Sequence, residues 1–301
     1  MSHSPAPSPT ENDPAEAFIF SSPEQVQVPV LFASPHSGTH YPGSMTDQMC
    51  VPLMTLRRTE DAFVNELFSS VTDRGAALIS ATYARGYVDL NRSPRELDPD
   101  MFADGLPRVA AVRSPRVRAG LGCIPRTAPD GQEIYEGPIS RAEGIERLER
   151  VHDTYHTSVS DYLEHLQARF GVAVLIDCHS MPSGIVGRQS LPDIVLGDRF
   201  GSSCTNRLTR HIERSFRSLG YSVKRNAPYA GGYTTRRYGR PKIGQHAIQI
   251  EIRRDLYMDE NNVIKSDGYD ILKSDIEQLL PQWLRLIRSM ARPERYRDAA
   301  E

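Results

Sequence analysis

Apolar positions along this chain form short continuous runs that alternate with longer helical stripes. The runs at residues 28–33, 76–82, 86–90, 172–176, 193–196, 222–224 and 246–252 are strand-length and mostly aliphatic or β-branched, a pattern that predicts strands buried on both faces. Between them, Phe63, Val64, Leu67, Phe68 and Val71 fall at helical spacing. So do Leu148, Val151, Tyr155, Val159, Tyr162, Leu163, Leu166 and Phe170. Ser140-Arg141-Ala142-Glu143 opens this second stripe as a capping box, and Gly171 ends it. Further helices are expected over 203–219 and 268–290. Alternation of this kind predicts an α/β fold, with a three-layer α/β/α unit around a mixed, mostly parallel sheet. No repeat or composition break marks a second domain, so residues 25–301 read as one. Residues 1–24, rich in Pro, Ser, Ala and acids, read as a flexible tail. Residues 93–139 hold many Pro, Gly and Arg with little periodicity, and so long an irregular stretch reads as a lid or binding loop.

Three of the strands deliver chemistry. The run 172–176 leads into Asp177-Cys178-His179-Ser180, and the run 28–33 leads into Ser34-Pro35-His36-Ser37-Gly38. Polar groups at the carboxyl ends of strands stand where open α/β sheets keep their sites. A lone histidine there more often hydrogen-bonds a loop, but Asp177, two residues before His179, is placed to hold that imidazole in a ligating tautomer. Catalytic zinc commonly takes three protein ligands and leaves a position for water, so His36 and His179 call for a third donor. Glu60 and Asp61 are the candidates. Extending the helical stripe backwards makes Glu60 face inward with Asp61 about 100° away, while ordinary pairing with the helix dipole is the alternative for both. Glu251, flanked by Ile250 and Ile252, shares the opposite strand face with Ala247 and Gln249. A carboxylate so placed suits proton transfer, unless it merely pairs with Arg253 or Arg254. Asn91-Arg92 can grip a carboxylate, and Thr235, Arg236 and Arg237 sit in a Gly-rich stretch, 231–241, that suits an anionic ligand.

Composition narrows the partners. The chain carries 36 basic and 38 acidic residues, a net charge of −2, which gives no electrostatic case for nucleic acid or an anionic membrane and leaves a small molecule as the expected partner. Four scattered cysteines lack both CxxC spacing and the density of a disulfide scaffold, and no apolar run approaches the roughly 20 residues of a membrane span. A cytoplasmic location is expected. The oligomeric state stays open, a homo-oligomer included.

Taken in order, Pro35-His36-Ser37-Gly38, Asp89-Leu90-Asn91-Arg92, Asp177-Cys178-His179-Ser180, the 231–241 stretch, Gln249-Ile250-Glu251 and Leu256-Tyr257-Met258 resemble the motifs of the N-formylglutamate amidohydrolase family, over about residues 28 to 260. That family is similar in fold and site to zinc carboxypeptidases and aspartoacylases. The resemblance implies Zn2+, or another divalent transition metal, held by His36, His179 and one of Glu60 or Asp61. The family pattern favours Asp61 where the helical stripe favours Glu60. It further implies Glu251 as general base and acid, Asn91 and Arg92 as substrate-binding residues, and hydrolysis of an N-acyl amino acid, N-formyl-L-glutamate first, in amino-acid catabolism such as histidine degradation. An aspartoacylase-like deacylase, a carboxypeptidase, and a non-catalytic metabolite- or metal-binding protein are the other readings.

Overall fold

The computed structural model describes residues 16–109, 114–186 and 189–291. Its main sheet has seven strands: β1 (Phe18–Ser21), β2 (Val30–Ser34), β3 (Ala77–Ala81), β4 (Ala173–Met181), β5 (Ile194–Gly197), β6 (Val223–Arg225) and β7 (Gln245–Arg253). They lie in the order β1-β3-β2-β4-β7-β5-β6. The pairs β3-β2, β2-β4, β4-β7 and β5-β6 are parallel, whereas β1-β3 and β7-β5 are antiparallel. The sheet is thus mixed and mostly parallel, as the sequence pattern predicts.

Helices α1 (Val64–Leu67), α2 (Arg141–Arg147), α3 (Thr154–Phe170), α4 (Asn206–Ser218), α5 (Tyr233–Tyr238) and α6 (Gly268–Arg288) complete the layers. On one face, Val174, Ile176 and Cys178 of β4 and Ile248, Ile250 and Ile252 of β7 pack with Leu67, Leu208, Phe216, Ile276, Leu280 and Trp283. On the other, Leu31, Leu175 and Ala247 pack with Tyr155, Val159, Leu163 and Leu166 of α3, and with Leu97, Cys123, Ile124 and Ile134 from the 93–139 segment. Residues 177, 179, 249 and 251 continue this second face by alternation. There the apolar cover ends and polar side chains take its place. No described helix is long and apolar enough to cross a membrane.

Several expectations need correction. The strand read at 86–90 is a turn, in which Tyr87 and Val88 donate backbone hydrogen bonds to the Ala84 carbonyl. Val88 and Leu90 are buried without a ladder, so their apolarity reflects packing and not strand pairing. Residues 18–21 of the expected tail pair with β3, and residues 1–15 lie outside the described residues. The stripe from Phe63 becomes a four-residue helix and a 3-10 helix, Ser69–Arg74. The helix expected from 140 to 170 contains a π-helical turn, Leu148–Asp153. The 231–241 stretch contains α5.

The 93–139 segment is anchored by Arg147, fully buried on α2. Its Nη1 donates to the Tyr135 hydroxyl at 2.7 Å, its Nε to Glu143 at 3.1 Å, and its guanidinium lies 4.2 Å from the Tyr87 ring centroid. Arg147→Ala is therefore expected to cost on the order of 3 kcal/mol, because it leaves buried polar partners unpaired and a cavity behind. Denaturant unfolding checks this, and a loss below about 1 kcal/mol would mean the segment is held by other contacts.

Candidate active site

His36 follows β2, Asp61 lies in the turn before α1, and His179 sits near the end of β4. The Asp61 amide donates to the His36 carbonyl at 2.9 Å, which ties the first two segments together. Asp61 Oδ2 is 3.0 Å from His179 Nδ1 and 3.4 Å from His36 Nδ1, and one ligand atom from each of the three residues lies within 4.8 Å of the others. All three are buried. The outer ring nitrogens meet carboxylates: His36 Nε2 is 2.8 Å from Asp89 Oδ1, and His179 Nε2 is 3.1 Å from Asp177 Oδ2. The Asp89 hydrogen bond holds the proton of His36 on Nε2 and turns its Nδ1 lone pair inward, while Asp177 places a negative charge beside the outer edge of His179.

This donor set fits a metal ion. His36 Nδ1 is buried without a hydrogen-bond partner, and it faces a carboxylate oxygen and a second imidazole. Burial works to raise the pKa of Asp61, but hydrogen bonds and charge from His179 and His36 outweigh it and hold the carboxyl well below its usual range. For His179, burial disfavours the charged ring, yet Asp177 and Asp61 outweigh it and raise its pKa well above the ordinary value. A proton on His179 thus balances the acids, and a divalent ion would take its place. Two imidazoles and a carboxylate suit zinc or a neighbouring transition ion.

Asp61 Oδ1 is oriented by Arg254 Nη2 at 2.9 Å and Ser180 Oγ at 3.2 Å. Glu60 points elsewhere: its Oε1 accepts from the Tyr41 hydroxyl at 2.8 Å. The helical-stripe argument for Glu60 does not hold, since residues 58–63 form a turn in which Phe63 takes a left-handed φ of 65°. Asp61 is the acid that the fold brings to the histidines.

Glu251 pairs in register with His179 across β4 and β7 and is 7% exposed. Gln249 Nε2 donates to its Oε1 at 2.6 Å. Burial, offset in part by the His179 charge and reinforced by Asp61, pushes its carboxyl up to about 7. Neither neighbouring arginine pairs with it, because Arg253 binds Asp193 and Asp255 and Arg254 binds Asp61. Asn91 Nδ2 lies 3.2 Å from His179 Nε2, and its Oδ1 accepts from the Thr234 amide at 2.9 Å. A Cβ on Gly232 would come within 2.4 Å of that Asn91 amide, so this close approach needs glycine.

His36, Asp61, His179, Asn91, Arg92 and Glu251 all line one cavity of about 830 Å³, whose wall also includes Leu121, Gly122 and Pro125 of the long segment. Thr235, Arg236 and Arg237 do not line it. Thr235 is buried with its hydroxyl donating to the Gly232 carbonyl, and the two arginines are exposed, near the Tyr233 ring. The three cations of 231–241 read as one anion site are therefore spread over a short helix and its flanks. Sequence reasoning gave no role to Asp89, Gln249 or Arg254. Asp89 and Gln249 lie inside the Asp89-Leu90-Asn91-Arg92 and Gln249-Ile250-Glu251 motifs, and the position of Arg254 in the sequence suggests only a pair with Glu251.

The family model for N-formylglutamate amidohydrolase matches residues 28–258. The chain belongs to the N-formylglutamate amidohydrolase family. Within that family it is similar to the N-formylglutamate deformylase of Pseudomonas aeruginosa, 32% identical over 267 residues that cover 86% of this chain and 93% of the relative. The N-formylglutamate deformylase of Pseudomonas putida is 32% identical over 241 residues, 78% of this chain and 84% of the relative. Among solved structures, an N-formylglutamate amidohydrolase from Ralstonia eutropha JMP134 superposes with a TM-score of 0.85 at 34% identity, covering 91% of this chain and 98% of that one. A gene product from Agrobacterium tumefaciens shares the fold, with a TM-score of 0.58 at 21% identity over 91% of this chain and 96% of its own.

The position of Glu251 has a consequence for stability. Its folded-state pKa of about 7 stands above the ordinary glutamate value, so the folded state prefers the protonated acid. Its contribution is fully present below about pH 4 and is lost as pH rises towards 7. In metal-free protein, the melting temperature of Glu251→Gln relative to wild type is expected to rise between about pH 5 and pH 8. A difference independent of pH would show that the carboxyl titrates normally.

Proposed function

We propose that this protein is a metal-dependent amidohydrolase that cleaves the amide of an N-acyl amino acid, with N-formyl-L-glutamate giving formate and glutamate as the leading reaction. The observation that carries this reading is the buried His36-Asp61-His179 cluster with the Glu251 carboxyl, pKa about 7, in the same cavity. His36, Asp61 and His179 would hold Zn2+ or another divalent transition ion. When bound, such an ion polarises an acyl carbonyl and acidifies water. Asp89 holds the His36 ring in register for it, and the Asp177 charge lies beside His179.

The chain's own residues then handle protons and position. Glu251 takes a proton from the attacking water and passes it to the leaving nitrogen, a task for which a pKa near neutrality is suited. Gln249, donating to one Glu251 oxygen, leaves the other free for that transfer. Asn91 and Arg92, at the cavity wall, hold the substrate carboxylate through an amide donor and a guanidinium. The long segment supplies part of the cavity wall beside the reacting amide.

Two experiments test this reading. Metal content after zinc loading should fall sharply in His36→Ala, Asp61→Ala and His179→Ala, each of which removes one of three donors, and stay near wild type in Glu60→Ala. Full occupancy in Asp61→Ala would sink the ligand set. Glu251→Gln should keep its metal and its KM while kcat on N-formyl-L-glutamate drops about 10²–10⁴-fold, the usual share of general acid–base catalysis. A variant that turns over at the wild-type rate would remove Glu251 from the reaction.

A further inference from the structure

The cavity holds cations with and without partners. Arg85 Nη2 is 3.0 Å from Asp89, Arg254 Nη2 is 2.9 Å from Asp61, and Arg58 Nε donates to the Asn261 carbonyl at 3.0 Å. Arg92 and Arg116 line the same cavity, and neither forms an ion pair among the described residues. The Arg92 Nε is buried without a hydrogen-bond partner, and its Nη1 reaches only the Asn91 carbonyl, at 3.3 Å. Arg116 comes from the long segment, where Ser114 Oγ accepts from the Val117 amide and the Arg116 carbonyl accepts from the Leu121 amide at 2.8 Å, so its backbone is fixed. The Arg92 charge, with burial added, lowers the pKa of Arg116, although the Glu96 and Asp89 carboxylates work against it. Two guanidinium groups that repel each other in a cavity make a seat for an anion.

Resting on the amidohydrolase reading, we propose that Arg116 selects a dicarboxylic substrate by pairing with the side-chain carboxylate of an N-acyl acidic amino acid. Arg92 adjoins Asn91 and lines the cavity together with His36, Asp61 and His179, so it is assigned the carboxylate next to the scissile amide. Arg116, an exposed residue of the long segment, lines the same cavity and is left for the distal one. An N-acyl amino acid with a neutral side chain leaves Arg116 unpaired, and that is the source of discrimination.

The test is the ratio of kcat/KM for N-formyl-L-glutamate to that for N-formyl-L-glutamine, measured on zinc-loaded protein. Wild type should favour the acid, and Arg116→Ala should lower the ratio about 10- to 100-fold, the usual worth of a charged hydrogen bond. Arg116→Lys should retain part of the preference. No preference in wild type, or a ratio unchanged by Arg116→Ala, overturns the assignment. If neither substrate is turned over, the reaction reading fails separately, and the subsite is read by calorimetry with glutarate and its monoamide. A wild-type preference for glutarate that Arg116→Ala removes supports the subsite. An absent preference, or one that survives the substitution, overturns it.

Discussion

The site hangs on the Asp61 carboxylate. One oxygen meets His36 and His179, and the other meets Arg254 and Ser180. Those partners come from the loop after β2, the end of β4 and the turn that follows β7. Asp61 itself is fixed by a backbone bond to the His36 carbonyl. A buried carboxylate is costly unless fully hydrogen-bonded, so its complete set of partners is a structural requirement before it is a chemical one. Arg254 serves both ends, since it also donates to the Arg58 and Thr59 carbonyls and so shapes the turn that presents Asp61.

Strand alternation explains why this cluster can coexist with a packed core. In β4 and β7, every second residue enters the apolar layer under α4 and α6. The remaining residues begin apolar at Leu175 and Ala247, under α3, and turn polar at Asp177, His179, Gln249 and Glu251. Parallel pairing of β2, β4 and β7 brings their carboxyl ends to one edge, and β3 lies parallel beside β2. The same register that aligns Leu175 with Ala247 in the core aligns His179 with Glu251 at the site. A one-residue slip would therefore exchange core and site together.

That regularity decides what was legible in the sequence. Strands buried on both faces are nearly continuous apolar runs, so β2, β4 and β7 and the polar residues at their ends could be read directly. Glu251 could be set against its neighbours because period-2 alternation is a local property. Asp61 and Glu60 could not be separated, because the choice depends on a turn ending in Phe63 with positive φ, and the apolar spacing beyond it imitated a longer helix. The run at 86–90 misled for a related reason: Val88 and Leu90 are buried in a loop core that sequence periodicity does not distinguish from a ladder. Arg236 and Arg237 were grouped with the site by proximity in sequence. A short helix turns them outward while Thr234 and Tyr238 turn in. Arg116 carried no local signal, since its neighbour Arg92 lies 24 positions away and only the fold of the long segment brings both to one cavity.

The cavity wall is electrostatically divided, and the division follows depth. Near Asp61 the arginines have opposite partners at close range, Arg254 on Asp61 and Arg85 on Asp89, and the two imidazoles stand against Asp61, Asp89 and Asp177. In such an array each group is held by at least one polar or charged neighbour, which fixes the positions of the donor atoms. Away from it, Arg92 and Arg116 line the cavity without forming an ion pair among the described residues. Satisfied charges build geometry and unsatisfied charges build affinity, since only the latter gain on contact with a ligand. Glu251 stands between the two regimes. It is close enough to His179 and Asp61 to feel both charges, yet it is anchored only by a neutral amide, so its carboxyl stays near the neutral range in which a proton can be both taken and given.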